Sequence, residues 1–315
     1  MKRPRYAIEY VLVVAMRGLT RLLPWRAVRG VGSGVGALFY AVDRRHRRIA
    51  LQNVAAAFPW KPEAERRALV RNVFGHFGRL LFELLKISSL SRDDILSRVE
   101  FEGGDRVTEA HAKGRGVLFF TGHFGYWEIQ AIAHAAAYAP IGVLARPLDN
   151  HHLHDLLERM RGCTGNWVIY RRGAMRRVLK SLGGNHGVAM LIDQHIQAPH
   201  AVTVSFFDRP AATTLALGML ALRTGAPVVP VFALPLTAGR YRLVYERPVD
   251  PPADDSPEAI REFTQRCTNV LEMQVRRQPE LWLWMHRRWR DSAVAESPDP
   301  GMFPVAARDE GRDDA

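Results

Sequence analysis

Between residues 89 and 290, short apolar runs alternate with segments of helical character. The runs read VEFEG, GVLFFTG, IGVLAR, NWVIY, GVAMLID, VTVSFF, APVVPVFAL and RYRLVYERP, in that order. A helix from Thr213 to Thr224 and a last helix from about Ser256 to Arg277 are expected among them. Strands separated by helices predict a layered α/β fold with a mostly parallel central sheet flanked by helices. Functional groups are then expected at the carboxyl ends of the strands.

The first 88 residues show only helical signals. A helix is expected to begin near Pro62, with Glu63 and Glu65 in its first turn. Gly32 and Gly36, four residues apart, favour close packing of one helix on another. We therefore divide the chain into a helical region at 1–88, an α/β domain at 89–290 and a Pro-rich acidic tail at 291–315 that is expected to be disordered.

The N-terminal stretch MKRPRYAIEYVLVVAMRGLTRLL is basic at its start, and charges at Glu9, Arg17 and Arg21 interrupt its apolar residues. The uncharged run is too short for a spanning helix, which needs ~20 mostly apolar residues. Residues 1–50 carry eleven basic residues against two acidic ones. We expect a helix that lies in, or dips into, an anionic membrane face. The alternative is an ordinary amphipathic helix packed on the domain.

The charge of the chain indicates the kind of partner to expect. Its formal net charge is +12, and of 44 basic residues only five are lysine. Arginine suits forked contacts to phosphates and carboxylates, so anionic lipid, nucleic acid or an acidic carrier protein are the candidate partners. The two cysteines, Cys163 and Cys267, lack metal-type spacing and cannot form a disulfide framework, which favours a reducing compartment.

The stretch GVLFFTGHFGYWEIQ places His123 at the carboxyl end of a buried strand and Glu128 in the following helix. A carboxylate on one ring nitrogen would fix the tautomer, leaving the other nitrogen free to take a proton from an attacking hydroxyl. The alternative is structural: His123 caps the helix and Glu128 pairs with an arginine. A Gly-x-Ser-x-Gly elbow is absent from the sequence, which argues against a serine hydrolase.

GHFGYWE resembles the His-x4-Asp/Glu motif of membrane glycerolipid and lipid A acyltransferases, in particular the late acyltransferases of lipid A biosynthesis. Further blocks follow in that family's order, among them RHRRIALQNVAAAFP, LARPLDN, MRGCTGNWVIYRRG, GVAMLIDQ and PELWLWMHRRW. The resemblance runs from about residue 6 to residue 290. It implies a glycerolipid acyltransferase-like fold.

The resemblance also implies transfer of a fatty acyl group from an acyl-carrier-protein thioester to a hydroxyl of a lipid A precursor, at the cytoplasmic face of the inner membrane. His123 would be the general base and Glu128 its orienting partner, with no cofactor. Arginines would bind phosphate or the carbonyl oxygen, an Asp-Gln pair would shape the cleft, and phenylalanines would line the acyl pocket. These substrate-binding residues are Arg146, Arg159, Arg161, Arg171, Asp193, Gln194, Phe206 and Phe207.

Other functions remain open at this stage. An acyltransferase of the same fold with another phospholipid or glycolipid acceptor is one alternative. A basic membrane-surface or nucleic-acid-binding protein without catalysis is another, although the sequence shows no nucleic-acid-binding motif. His154 and Glu158 lie one helical turn apart, but no zinc signature surrounds them, so no metal is expected. Trp289, Arg287 and Arg288 are expected at a rim that meets lipid phosphates.

Overall fold

A computed structural model describes residues 2–170, 173–197 and 199–289. The helices in this part are α1 (Lys2–Leu22), α2 (Trp25–Val42), α3 (Arg44–Ala57), α4 (Glu63–Ile87), α5 (Arg92–Leu96), α6 (Gly104–Ala112), α7 (Trp127–Ala137), α8 (His151–Arg161), α9 (Ala174–Gly183), α10 (Ala216–Thr224) and α11 (Pro257–Arg277). The strands are β1 (Val99–Glu102), β2 (Val117–Thr121), β3 (Ile141–Ala145), β4 (Trp167–Tyr170), β5 (Gly187–Leu191), β6 (Ala201–Phe206), β7 (Arg209–Thr214), β8 (Val228–Pro235) and β9 (Tyr241–Tyr245). The expected tail at 291–315 and Arg171 lie outside the described residues.

Seven strands form one central sheet in the order β1-β9-β8-β2-β5-β3-β4. Its neighbours pair in parallel except β8 and β9, which are antiparallel. The α/β fold with a mostly parallel sheet is therefore confirmed. β2 lies at the centre with all five residues buried, because helices cover both faces of a parallel sheet. Its carboxyl end is where the motif of His123 begins.

The N-terminal helices pack closely on one another. A Cβ atom added to Gly36 would overlap the backbone of Phe74, and one added to Gly78 would overlap the backbone of Gly32. Glycine at these positions is what allows the backbones of α2 and α4 to touch, as the spacing of Gly32 and Gly36 predicts. α4 begins at Glu63, also as predicted. Within the described residues, none of the helices combines the length and apolar character needed to cross a membrane.

One predicted element is wrong in part. The helix expected from Thr213 begins only at Ala216, and the residues before it form β7. β7 pairs antiparallel with β6 in a separate two-stranded sheet. The turn between them consists of Phe207 and Asp208, both with positive φ, at +53° and +57°. The hairpin was not predicted from the sequence because its turn lacks the usual Asn-Gly or Asp-Gly pair.

Candidate active site

A tight loop follows β2 and carries the predicted base. Gly122 lies against Asp193: a Cβ atom there would stand 3.0 Å from the Oδ2 atom of Asp193 and 2.9 Å from Leu271. A side chain at Gly122 would therefore push the carboxylate away. Asp193 follows β5, the strand paired in parallel with β2, so both strands end at the same edge of the sheet.

His123 and Asp193 form the central contact of this loop. The Nδ1 atom of His123 lies 2.8 Å from the Oδ1 atom of Asp193, and the backbone N–H of His123 donates to Oδ2 at 2.7 Å. The indole Nε1–H of Trp282 donates to the same Oδ2 atom at 2.8 Å. The Nε2 atom of His123 lies 3.3 Å from the Nε2 atom of Gln194. The carboxylate of Asp193 therefore fixes the imidazole through Nδ1, and the Nε2 atom is directed towards the exposed amide of Gln194.

The electrostatics of the pair favour an ionised Asp193 with a proton on Nδ1 of His123. Burial opposes ionisation of Asp193, but the contacts with His123 and Trp282 outweigh it and hold the pKa of this carboxyl below its usual value. An ionised Asp193 accepts hydrogen bonds only, so Nδ1 of His123 carries a proton, and Nε2 is the ring nitrogen that faces Gln194. The side chain of His123 is 18% exposed, so part of the ring reaches the surface.

Glu128 does not contact His123, contrary to the sequence-based expectation. It lies in the first turn of α7, and its Oε2 atom accepts from Nε of Arg161 at 2.8 Å, while its Oε1 atom accepts from the other arm of the guanidinium. Both side chains are largely buried, at 12% and 14% exposed. Asp193 occupies the place on Nδ1 assigned to Glu128. The arginine pair weighed as the structural alternative is the arrangement observed, and a catalytic role for Glu128 stays a prediction.

The other predicted arginines are not gathered at His123. The Arg146 side chain is 88% exposed and lies 3.9 Å from Asp149. Arg159 is exposed on α8. Among the described arginines of the predicted site, Arg161 alone contacts the motif of His123 and Glu128, through its ion pair.

Phe206 and Phe207 were expected to line an acyl pocket and instead lie in an aromatic cluster, 1% and 3% exposed. Phe206 packs against Trp282 and Trp289, with ring centroids 5.2 and 5.9 Å away, and Phe207 packs against Trp284 at 5.7 Å. A place in an acyl pocket stays a prediction for both.

The sequence analysis expected Arg288 at a rim that meets lipid phosphates, but the residue is buried. It is 1% exposed, and it donates to the carbonyl oxygen of Ala212 at 2.6 Å and to the hydroxyl of Thr213. Burial lowers the pKa of Arg288 to about 10, with Asp193 opposing the change. This arginine therefore remains a buried cation that helps to balance the charge of Asp193.

The C-terminal segment 281–284 braces the loop of His123. The N–H of Leu283 donates to the carbonyl oxygen of His123 at 3.0 Å, and the N–H of Gly125 donates to that of Leu281 at 2.9 Å. Trp282 adds the indole contact to Asp193. The sequence reasoning missed this role because the tryptophans read as core or interface residues, and no local pattern links Trp282 to a carboxylate far along the chain.

His76 on α4 is a second residue that the sequence reasoning missed. Its Nε2 atom lies 3.1 Å from the carbonyl oxygen of Gly125, so Nε2–H is the donor. Burial lowers the pKa of His76 to about 3, so the ring stays neutral. Gly125 itself has a φ of +60°, and a Cβ atom there would overlap the carbonyl oxygen of Ala233. α4 thus holds a loop position, Gly125, that only glycine can occupy.

One group of side chains has metal-ligating atoms close together. Single ligand atoms of His154, Asp155 and Glu158 lie within 4.8 Å of one another on α8. Asp155 and Glu158 are exposed, and the carboxylate of Glu158 interacts with the hydroxyl of Tyr170. Exposed acidic groups of this kind are common without a bound ion, and the arrangement by itself supports no metal site.

The chain is similar in sequence to a known family of enzymes. The sequence model of the bacterial lipid A biosynthesis acyltransferase family matches residues 1–291. The chain belongs to this family. Membership supports an acyltransferase that acts on lipid A precursors, as the resemblance of the sequence predicts.

Curated relatives match along most of their length. The lipid A biosynthesis lauroyltransferase of Escherichia coli (strain K12) is 29% identical over 91% of this family member and 92% of the relative. The myristoyltransferase of the same organism is 26% identical over 90% and 87%. A lipid A biosynthesis acyltransferase of Haemophilus influenzae is 26% identical over 94% of both chains. A solved structure, the 1-acyl-sn-glycerophosphate acyltransferase of Thermotoga maritima, aligns with a TM-score of 0.37 and 16% identity over 85% of this chain and 97% of that one, too weakly to support an argument.

Proposed function

We propose that the protein transfers a fatty acyl group from an acyl-carrier-protein thioester to a hydroxyl of a lipid A precursor, at the cytoplasmic face of the inner membrane. The observation that carries this proposal is the partly exposed imidazole of His123, fixed on Nδ1 by the buried Asp193 and with Nε2 beside the exposed amide of Gln194. A thioester is already activated, so the reaction requires a base, a donor for the oxyanion and an apolar slot, with no nucleophilic side chain.

Acyl transfer requires one proton carrier, and His123 can serve in that role. The acceptor hydroxyl gives its proton to Nε2 of His123 as its oxygen attacks the thioester carbonyl carbon. The C–S bond then breaks, and the imidazolium returns the proton to the departing thiolate. Asp193 stabilises the imidazolium through Nδ1 while remaining ionised, in the way a buried aspartate supports a histidine base elsewhere.

Arg161 is the donor we propose for the developing oxyanion or for a substrate phosphate. Its guanidinium carries five N–H donors, and the bidentate pair with Glu128 occupies only some of them. In this role Glu128 acts by holding Arg161, although the family motif assigns it to the histidine. The pKa of Arg161 is raised because the contacts with Glu128 outweigh its burial, so the cation is permanent.

The membrane-facing surface in this proposal is one side of α1. Five apolar side chains of this helix lie more than half exposed, and Leu22 reaches 85%: Ile8, Val11, Leu12, Leu19 and Leu22. They follow helical spacing and form one stripe, while Tyr10, Val13 and Met16 pack on the protein. An exposed apolar stripe beside basic residues suits a helix that lies on an anionic membrane.

Mass spectrometry of total membrane lipids tests the proposal. A host lacking the protein should lack one acyl chain on its lipid A, and the wild-type gene should restore it. His123→Ala should restore it about a hundredfold more slowly or not at all. Purified protein offered the same acyl chain on acyl carrier protein or on coenzyme A identifies the donor. Restoration by His123→Ala at the wild-type rate would rule out the histidine mechanism, and an acyl change on another lipid would favour the alternative acceptor.

A further inference from the structure

A cleft of about 530 Å³ lies away from His123, between the start of α2 and the β8–β9 hairpin. We name it the arginine cleft, and it is lined by Arg29, Glu100, Pro235, Leu236, Thr237, Arg240 and Arg242. β8 runs parallel to β2, so its end at Pro235 lies at the same sheet edge as the loop of His123. β1 stands three strand spacings from β2, roughly 14 Å away.

The cleft holds more positive than negative charge. Glu100 is shared by two guanidinium groups, with Arg240 at 2.7 Å and Arg242 at 3.1 Å. Arg29 pairs at 3.3 Å with Glu83, a buried carboxylate outside the cleft. Because one carboxylate serves two arginines, an uncompensated positive charge remains, and each guanidinium keeps unused N–H donors. Arg240 and Arg242 are 51% and 45% exposed, so these donors are accessible to a ligand.

Neighbouring groups add to the positive field. Trp25 packs on Gly239 of the hairpin turn, whose φ of +71° leaves no room for a Cβ atom against the indole. The guanidinium of Arg98 lies 4.5 Å from the ring centroid of Trp25, and the ammonium of Lys86 lies 5.5 Å from it. Lys86 donates to the carbonyl oxygens of Thr20 and Leu23, so this ammonium and Arg98 contribute to the positive field without lining the cleft.

The position of the cleft favours an anion at a membrane surface. The apolar stripe of α1 ends at Leu22, and Trp25, three residues later, packs beside the cleft. If the stripe of α1 lies in the lipid interface, as the proposed function has it, the cleft opens at the depth of the headgroups. Tryptophan and arginine are the residues that favour this depth.

We propose that the arginine cleft binds a phosphate group, supplied by the headgroup of an anionic lipid. Arg240 and Arg242 provide the forked donors, Arg29 closes the inner end, and Glu100 competes with the phosphate for the same guanidiniums. The site is separate from the His123 chemistry. It gives the enzyme a second point of attachment to lipid, at the same sheet edge as the loop of His123.

Removing the two outer arginines is the first test. Flotation of the full chain with phosphatidylcholine vesicles that carry phosphatidic acid measures binding. Arg240→Ser with Arg242→Ser should weaken it about tenfold, because two charge-assisted contacts are lost. The control, Arg223→Ser with Arg261→Ser, removes the same charge from exposed positions on α10 and α11. An equal loss in both double variants would overturn the site, since net charge alone would then explain binding.

Removing the competing carboxylate gives a test in the opposite direction. Glu100→Gln frees two guanidinium groups and should strengthen binding to the same vesicles several-fold. Glu109→Gln, exposed on α6, makes the same change in net charge away from the cleft and should change binding much less. Equal gains for the two variants would contradict the proposal. Because this variant improves binding, loss of folding cannot mimic the expected result.

Inorganic phosphate separates the two sources of the ligand. Broadening of its phosphorus resonance by the wild-type chain, absent with Arg240→Ser and Arg242→Ser, would show that the phosphate group alone suffices. If that broadening depends on the cleft while vesicle binding does not, free phosphate replaces lipid as the source. Acyl transfer is assayed separately by product mass, so a failure of the proposed enzyme activity leaves these binding results intact, and the reverse also holds.

Discussion

Asp193 keeps its charge inside the protein because three donors surround it: the backbone N–H and the ring of His123, and the indole of Trp282. A buried carboxylate without such partners would take up a proton and cease to stabilise an imidazolium. In the proposed mechanism, an ionised Asp193 keeps Nδ1 of His123 as a hydrogen-bond donor and stabilises the imidazolium that forms when His123 takes a proton. Within this mechanism, Trp282 acts through its contact with Asp193 as a positioning residue.

Trp282→Phe should shift the acid limb of the pH profile to higher pH. The substitution removes the N–H donor that favours the ionised form of Asp193, so the pKa of Asp193 rises and the coupled Asp193–His123 pair takes up a proton at higher pH. We expect kcat to fall about tenfold near the acid limb and less at higher pH. The measurement is kcat for acyl transfer across the acid limb.

Trp284→Phe is the matched control for this experiment. The indole of Trp284 donates to the carbonyl oxygen of Pro279 at 2.6 Å, so the same substitution removes a hydrogen bond of the same kind. It should lower the unfolding free energy by about 1 kcal/mol and leave the acid limb in place. Equal displacement of the acid limb by both variants would show that Trp282 acts only through packing.

The residues of the site could be predicted better than their pairing. His123 and Asp193 both lie where the sequence places them, after apolar strands. Glu128 is five residues from His123 in the sequence, and this proximity made it the expected partner. The actual partner depends on β5 lying beside β2, a strand order that no local pattern encodes. The contact between Trp282 and Asp193 spans 89 residues and had no sequence signal.

At the scale of elements, α4 makes stability depend on pH through His76. Burial lowers the pKa of His76 to about 3, and it does the same for His134 on α7. The unfolded chain protonates these rings near 6.5, so between these values it binds more protons than the folded chain. Stability is therefore complete above about pH 6.5 and falls as the pH falls, by up to about 1.4 kcal/mol per pH unit for each histidine.

His76→Gln should reduce this slope by the share of one histidine, since an amide can still donate to Gly125 but cannot titrate. Denaturant unfolding at pH 7, 6 and 5 measures it. His134→Gln should reduce the slope equally, because burial lowers the pKa of His134 to the same value of about 3. The His134 ring contacts Tyr245, away from the loop of His123. A change in acyl transfer is expected only for His76→Gln, because His76, unlike His134, contacts the loop of His123, through Gly125. Unchanged slopes in both variants would contradict the assignment of neutral buried rings.

The β6–β7 hairpin carries backbone strain that glycine would relieve. Asp208 has a φ of +57°, and its side chain is 95% exposed, with one ion pair of 3.4 Å to Arg276. Asp208→Gly should raise the unfolding free energy by about 1 kcal/mol, because glycine adopts this conformation without steric cost. Asp250→Gly, at a position without positive φ, should give no gain. Thermal unfolding of the two variants decides the matter, and a loss of stability in Asp208→Gly would refute the argument.

The same hairpin is a part of the fold that the sequence did not predict. The strands of the main sheet were predictable because they are apolar runs separated by helices. β7 reads RPAATT, which contains no bulky apolar residue and begins next to a proline. It becomes a strand through pairing with β6 and through the packing of Phe207 on tryptophans from residues 282–289. Tertiary contacts decided the conformation of this segment, as they commonly do for strands.

For the whole molecule, the stripe of α1 should determine attachment to membranes. Leu19→Asp places a charge in the stripe, where Leu19 is 51% exposed. Binding to vesicles should weaken about tenfold or more, because an apolar contact is lost and a charge meets the anionic surface. Met273→Asp on α11, at an exposed apolar position of 38%, is the control and should bind nearly as the wild type does. Similar losses in the two variants would contradict the orientation proposed for α1.

The brace from residues 281–284 also has a consequence during synthesis. The ribosome makes His123 first, Asp193 later and Trp282 last, and the loop of His123 receives its final hydrogen bonds only from Leu281 and Leu283. A nascent or prematurely terminated chain that stops after α11 therefore lacks both the indole donor and the backbone contacts of the loop. The order of translation delays assembly of the proposed active site until residues 281–284 have emerged.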